Sequence, residues 1–434
     1  MIIKFYSRFF FVLIFISLSG IANGQEVVLI HRFNSHYSTL EVNVKAGTKL
    51  QLKPQPIIRY TSFILKASKP CRNIKVFFRN TQGVTDSLLT SLTINHDAIS
   101  DSDFATPLQI FETEQTDIMV DFGNFDGNLK ITLLNAPLLT NVTLSGLLHK
   151  FKNPCDKPDM ISYTVWRAGL PNPLPPRLTT DVEHLVVHHS AGNNSDTNYI
   201  NIVRNIYLLH TQSNGWDDIG YNFLVAPNGV IFKGRDPQGV GEDDNILGAH
   251  FCGKNQNTMG VCMLGDFMKV KPTKTAVFSL NYLLAWKLKV DGIDAFGQTI
   301  HPHPNGSLLN NICGHRDACS TDCPGDSLYA ILKEIKQEAA RIADSCGLIL
   351  LNIEPGIKLS SGIYPNPSMG EFKVITSAQS VDLSIFDTNG QLVYSAICKS
   401  EQNFQLFLPS GLYFYRLFEN NSILKTGKLI IISN

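Results

Sequence analysis

Three short segments in the middle of the chain carry side chains suited to metal-dependent hydrolysis. In the first, the apolar residues 185–187 lead into His188-His189-Ser190. In the second, His315 and Cys323 lie eight residues apart, just before a helical pattern. Two imidazoles and one thiolate are zinc ligands, and three protein ligands leave the fourth tetrahedral position open, which is typical of catalytic zinc. Zinc acidifies water and polarises a carbonyl, so this set predicts a hydrolytic Zn²⁺ centre.

The residues alone leave two points of this prediction open. Successive side chains of a strand point to opposite faces, so His188 and His189 are not expected to bind one metal together, and the periodicity does not show which of them binds. In an oxidising compartment, Cys323 has an alternative use as half of a disulfide. The third segment, residues 215–223, contains Tyr221 at the start of a predicted strand, where a tyrosine most often serves packing.

Five motifs, taken in chain order, resemble those of the peptidoglycan recognition protein and type 2 N-acetylmuramoyl-L-alanine amidase family. They are His188-His189-Ser190, the segment 215–221, Gly248-Ala249-His250, Gly314-His315-Arg316 and Cys323-Pro324-Gly325. The resemblance covers about residues 159–348. It implies a zinc amidase that cleaves the amide between N-acetylmuramic acid and L-Ala in the stem peptides of peptidoglycan, with peptidoglycan or muropeptides as its partners.

The same resemblance implies roles for individual residues. His188, rather than His189, is expected to be the first zinc ligand, with His315 and Cys323 as the others. Tyr221 is expected beside the attacking water and the scissile carbonyl. Thr321 falls where the family has a residue that can hydrogen-bond the developing oxyanion.

His250 and His189 are the candidates for contact with substrate. A hydrogen-bonded structural role is an equal alternative for His250, and His189 is expected to pack or to orient its neighbour. Many animal relatives have a disulfide soon after the His-His segment, whereas residues 191–206 contain no cysteine. A different disulfide pattern is therefore implied, with Cys319 as the nearest rival of Cys323 for the metal and Cys262 as a core thiol.

An alternative function comes from the same family, because its fold also serves peptidoglycan-binding proteins without turnover. Binding-only relatives usually lack the cysteine ligand or another metal residue. All three ligands and Tyr221 are present here. The sequence therefore favours the enzyme over the non-catalytic binder.

The elements around these motifs predict an α/β domain over residues 159–348, in which helices cover a mixed sheet. Short apolar runs predict strands at residues 185–187, 223–226 and 259–264. The turn Pro227-Asn228-Gly229 predicts a hairpin, so part of the sheet is expected to be antiparallel. Apolar side chains at helical spacing predict three helices, with faces that begin at Ile202, Val277 and Leu328.

Two β-rich regions flank this domain. Residues 26–150 alternate apolar and polar side chains between turns, which predicts an all-β module, a sandwich whose role is open between a spacer and a binding module. Residues 362–434 predict a small β-sandwich without catalytic equipment. Its motifs Tyr364-Pro365-Asn366-Pro367 and Gly411-Leu412-Tyr413 resemble the C-terminal sorting domains of the type IX secretion system, which implies that secretion machinery as a partner.

The N-terminal segment predicts a location outside the cytoplasm, and the composition bears on nucleic-acid binding. Lys4 and Arg8 precede the apolar run 9–18 and a stretch of small residues, which predicts a signal peptide over residues 1–24. With the sorting domain, this predicts export through the periplasm to the cell surface or the medium. The 434 residues include 37 Lys+Arg and 37 Asp+Glu, and without a basic excess we expect no nucleic-acid binding.

Overall fold

The computed structural model describes residues 25–31, 34–55, 59–94, 103–139, 156–301, 307–345, 362–364, 368, 370–376, 378–399, 402–419 and 422–431. The chain forms two compact units, divided between residues 349 and 350. The predicted signal peptide lies outside the described residues. None of the helices in these ranges has both the length and the hydrophobicity that a membrane-spanning helix needs.

The N-terminal region is a single connected sheet of nine strands. The strands are β1 (Gln25–His31), β2 (Tyr37–Val44), β3 (Lys49–Gln55), β4 (Tyr60–Ala67), β5 (Cys71–Asn80), β6 (Thr85–Ile94), β7 (Phe104–Ala105), β8 (Gln109–Asp121) and β9 (Gly127–Leu134). Their order in the sheet is β1-β3-β8-β5-β6-β7-β4-β9-β2, and β8 also pairs with β4. Alternate side chains such as Leu129, Ile131 and Leu133 enter one apolar core. We call residues 25–139 the β module.

The central region has the predicted mixed sheet with helices on both faces. Its elements are α1 (Tyr163–Trp166), β10 (His184–His189), α2 (Tyr199–Leu208), β11 (Phe223–Val225), β12 (Ile231–Lys233), β13 (Thr258–Met263), α3 (Lys274–Asp291), β14 (Gln298–His301), β15 (Ser307–Asn310), β16 (Ile312–Gly314), α4 (Asp326–Tyr329) and α5 (Leu332–Ser345). The sheet order is β12-β11-β13-β10-β16. Four strands are parallel and β12 is antiparallel to β11, which confirms the predicted hairpin.

The helices divide between the two faces of this sheet. Helix α2 packs on one face, and α3 and α5 pack on the other. The Thr273 hydroxyl caps α3 by accepting from the backbone N–H of Ala276 at 3.1 Å. The apolar pattern that begins at Leu328 spans α4 and α5 rather than one helix.

The β module packs directly on α2. One apolar cluster contains Ile64 and Leu134 of the β module together with Ile206 and Leu209 of the central region. Side-chain hydrogen bonds cross the same interface. The Thr61 hydroxyl donates to Asn205 Oδ1 at 2.9 Å. The domain boundaries 26–150 and 159–348 stay a prediction. In the structure the two regions share one apolar core.

The second unit is β-rich throughout its described part. Its strands are β17 (Gly362–Tyr364), β18 (Glu371–Ile375), β19 (Val381–Phe386), β20 (Leu392–Cys398), β21 (Gln402–Gln405), β22 (Gly411–Glu419) and β23 (Ser422–Ile431). They form two antiparallel sheets, β17-β18-β21 and β20-β19-β22-β23. Phe372, Leu383 and Leu417 belong to the core that both sheets share.

Candidate metal centre

Two parallel strands bring the predicted histidine ligands together. In the pairing of β10 with β16, Val187 lies opposite Gly314, so the next residues along, His188 and His315, emerge side by side at the carboxyl ends of both strands. Their rings lie 4.5 Å apart between centroids. The loop that follows β16 brings Cys323 back to the same place, where its Sγ lies 3.7 Å from His188 Nδ1.

These three residues, which we call the metal group, have the composition of a zinc site. His188, His315 and Cys323 are all buried, and one donor atom from each lies within 4.8 Å of the others. The backbone N–H of His189 donates to Cys323 Sγ at 3.4 Å, so this sulfur is held by the backbone of the strand that carries His188. The donor set fits Zn²⁺, for which two imidazoles and one thiolate are suitable ligands.

His189 points away from this group, as strand alternation requires. Its Nδ1 accepts from the backbone N–H of Phe267 at 3.3 Å and lies 4.0 Å from Asp266 Oδ1. The ring still borders the groove described below. The structure thus brings His188, and not His189, together with His315 and Cys323, while a substrate contact for His189 stays a prediction.

A chain of hydrogen bonds behind His188 assigns its tautomer. The Thr258 hydroxyl donates its only proton to the carbonyl of Asn255 at 2.7 Å. Its contact with His250 Nε2, at 3.3 Å, is therefore one in which the hydroxyl oxygen accepts from Nε2–H. His250 Nδ1 is then the acceptor for His188 Nε2–H, 3.0 Å away. This leaves the lone pair of His188 on Nδ1, the nitrogen that faces Cys323, as a metal ligand needs.

His250 is enclosed rather than presented to a ligand. It is 6% exposed, and burial lowers the pKa of its imidazole well below the ordinary value, which keeps the ring neutral. A Cβ at Gly248 or at Gly260 would collide with this ring. Among the described residues that line the groove, His250 does not occur. Of the two roles predicted for it, the geometry favours the hydrogen-bonded one.

Tyr221 borders the metal group two residues before β11. Its ring centroid lies 5.2 Å from that of His188, and the side chain is 3% exposed. His210, which sequence analysis missed, packs between Tyr221 and Trp216, with ring centroids 5.5 and 4.6 Å away. Its Nδ1 accepts from the backbone N–H of Gly220 at 3.0 Å. His210 follows the apolar face of α2, and no local motif marks it.

A buried ionic network holds the segment that carries Tyr221. Arg177 bonds Asp217 at 2.5 Å and Asp218 at 3.0 Å. Arg235 bonds Asp217 at 2.6 Å and the carbonyl of Ile219 at 3.0 Å. Burial raises the pKa of Asp218 to about 6, although both arginines oppose that shift. The acidic residues of the third motif therefore position the segment next to Tyr221 rather than face the metal group.

The cysteines near the site have different roles. Cys252 and Cys319 form a disulfide. Cys252, His315 and Cys319 also lie close enough to form a second potential ligand group, but the intact bridge occupies both sulfurs. Cys323 is outside that bridge. The Thr321 hydroxyl accepts from the backbone N–H of Cys323 at 3.2 Å, so Thr321 lies at the site, while a contact with an oxyanion stays a prediction.

A groove of about 540 Å³ reaches the metal group at Cys323. On the central region its lining includes His189, His210, Tyr221, Thr321 and Cys323. This volume lies in the range of small-molecule sites. A buried potential metal site, a phenol and a groove of ligand size therefore coincide.

Residues 178–326 match the family model described as N-acetylmuramoyl-L-alanine amidase, and residues 362–432 match that of a secretion system C-terminal sorting domain. Peptidoglycan-recognition protein LE of Drosophila melanogaster is 35% identical over 182 residues, covering 42% of this chain and 47% of that protein. The chain thus spans about half the length of that relative.

Peptidoglycan recognition protein 1 of Mus musculus is 33% identical over 180 residues, covering 40% of this chain and 86% of that protein. Among solved structures, peptidoglycan recognition protein-LE in complex with tracheal cytotoxin is similar, with 28% identity and a TM-score of 0.34. The match covers 40% of this chain and 92% of that one.

Proposed function

Since the chain belongs to the peptidoglycan recognition protein family, we propose that it is an exported, zinc-dependent N-acetylmuramoyl-L-alanine amidase. Its reaction would be hydrolysis of the amide between N-acetylmuramic acid and the L-Ala of peptidoglycan stem peptides. The observation that carries this proposal is the buried group of His188, His315 and Cys323, which meets a groove of ligand size at Cys323. A non-catalytic recognition protein would need the groove but not this ligand set.

In this proposal His188 Nδ1, a ring nitrogen of His315 and Cys323 Sγ hold the zinc ion. When bound, zinc lowers the pKa of water towards neutrality and polarises a carbonyl group. The protein supplies the ligand tautomer through the chain from His188 to His250 and Thr258. His250 is therefore a positioning residue in this proposal.

Tyr221 and Thr321 would act on the reacting groups. Both residues line the groove, as Cys323 of the metal group does. The phenol of Tyr221 can hydrogen-bond an attacking water or the scissile carbonyl oxygen. The Thr321 hydroxyl, which already accepts from Cys323 N–H, still has a proton to donate to a developing oxyanion.

The test combines metal content with product analysis for the purified full chain. Muropeptides incubated with the wild-type protein should yield a free stem peptide with an L-Ala amino terminus. Cys323→Ser should lose zinc and turnover together, because a neutral hydroxyl is a poor zinc ligand compared with a thiolate. Cys313→Ala is the matched control, since Cys313 is also a buried thiol but lies outside the potential ligand groups of the described residues.

Two results would contradict the proposal. Cleavage at another bond, or no cleavage by zinc-loaded wild-type protein, would refute the proposed amidase activity and leave peptidoglycan binding as the alternative. Full zinc occupancy in Cys323→Ser would show that the ligand set is wrong.

The location of this activity follows from the terminal segments. We propose that residues 1–24 direct the chain across the inner membrane and that the sorting domain, residues 362–434, directs it through the type IX machinery across the outer membrane. The match of residues 362–432 to a secretion sorting domain supports the second step.

A further inference from the structure

The groove over the metal group has a second wall that comes from the β module. Residues of β4 and β6, the segment that follows β7 and the first residue of β8 line it opposite the central region. We call the following residues the module wall: Lys66, Leu89, Ser91, Thr93, Pro107 and Gln109.

Strand alternation explains how β6 contributes to this wall. Leu88 and Leu92 pack on or in the core of the β module. Leu89, Ser91 and Thr93 occupy the opposite face of the same strand and line the groove. Leu89 is 66% exposed, and Thr93 is also exposed. An apolar side chain left this accessible beside a ligand-sized groove is available for contact with a ligand.

The module wall is held in place by buried contacts rather than by a linker. The Asn201 amide donates to the carbonyl of Phe111 at 3.2 Å, and the Arg204 guanidinium donates to the carbonyl of Pro137 at 2.8 Å. Closer to the groove, Lys66 Nζ donates to Asn214 Oδ1 at 2.7 Å. A surface fixed in this way can contribute to binding without first being ordered.

The chemistry of the two walls differs. The module wall offers hydroxyls, an amide, apolar surface and the ammonium of Lys66, and none of the described β-module residues that line the groove is acidic. The central region contributes Asp266 and Asp322 as well as Lys269. A ligand that carries carboxylates and amides is therefore better matched to the module wall than to the facing one.

We propose that the module wall is part of the substrate site and binds the carboxylate-bearing stem peptide of a muramoyl-peptide. This inference rests on the proposed function, and it adds a specificity-determining surface from a region outside the matched amidase segment, residues 178–326. Lys66 attracts the peptide carboxylates, and Ser91, Thr93 and Gln109 hydrogen-bond its backbone.

Titration calorimetry on the zinc-loaded full chain tests this role. The ligands are an N-acetylmuramoyl-tripeptide and the same compound with its peptide carboxyls converted to amides. Thr93→Glu adds a carboxylate to the module wall, and Lys66→Gln removes its cation. Either change should weaken binding of the acidic ligand by about tenfold, the equivalent of ~1.4 kcal/mol, and should affect the amidated ligand much less. Combining each change with Tyr221→Phe slows cleavage during the titration by ~10² to 10³-fold, and Tyr221→Phe alone is the parent protein.

Val84→Glu is the matched control, because Val84 is an exposed residue of the neighbouring turn that lies outside the groove lining. It alters the net charge as Thr93→Glu does, and it should bind both ligands as the parent protein does. Equal affinity of all variants for the acidic ligand would refute the proposed role of the module wall in substrate binding, while leaving the amidase proposal intact. If the parent protein bound neither ligand and the wild-type enzyme cleaved neither, both proposals would fall.

Discussion

Replacing Tyr221 with Phe removes one hydroxyl from the groove and leaves the aromatic ring in place. The ring is almost fully buried and packs against His188 and His210, so Phe preserves its apolar contacts. One preorganised hydrogen bond to a transition-state oxygen is worth about 2.7–4 kcal/mol, or ~10² to 10³ in kcat. We expect a loss of that size in turnover of a muramoyl-peptide, with zinc content and Tm close to wild type.

A second tyrosine provides a control for this substitution. Tyr207 is buried in the same apolar cluster, and its hydroxyl donates to the carbonyl of Pro171 at 2.6 Å, but it does not line the groove. Tyr207→Phe leaves that carbonyl without its donor, so it should cost about 1–3 kcal/mol of stability and leave kcat per folded molecule unchanged. Near-normal turnover by Tyr221→Phe, or a loss of zinc from it, would refute the catalytic role.

Three further predictions concern the metal, the interface and export. His250→Ala should weaken zinc affinity by about 10- to 100-fold, measured by competition with a chelator, because His188 loses the acceptor that sets its tautomer. Burial, with Glu112 of the β module, raises the pKa of Asp196 to about 6. The folded chain therefore holds this proton more tightly than the unfolded chain, and the associated stability is complete below pH ~4 and lost as the pH rises through about 6. Asp196→Asn should consequently raise Tm at pH 7 and have little effect at pH 4; an equal effect at both values would exclude this carboxyl as the cause. Deletion of residues 362–434 should retain an active enzyme in the periplasm, as fractionation would show, whereas normal surface delivery would contradict the sorting role.

The sequence predicted the central sheet because its strands are short, apolar and bounded by turn residues. The run 185–187 became β10, and the turn at Pro227-Asn228-Gly229 joined β11 to β12. The site residues were recognisable because ligand types recur in ordered motifs. Local patterns did not reveal that the partner of His188 is His250, since the two residues lie 62 positions apart in the chain.

The shared core was not predictable for a related reason. The sequence indicated one apolar face of α2, through Ile202 and Ile206, and an amphipathic helix of this kind is expected to expose its polar residues. In the structure Asn201, Arg204 and Asn205 are buried as well. Their hydrogen-bond partners include β-module residues that lie 67 to 144 residues away in the chain, which no local pattern reports.

This interface changes how the β module should be regarded. Tyr221 belongs to the same apolar cluster as Ile64 and Leu134 of the β module. Residues 159–348 expressed alone would expose that side of the cluster to water, together with the buried guanidinium of Arg204. The β module therefore supports the surroundings of Tyr221 as well as closing the groove. Its structural contribution can be separated from its contribution to substrate binding only by substitutions of exposed residues, such as Thr93→Glu. A comparison between the full chain and the isolated central region would mix the two.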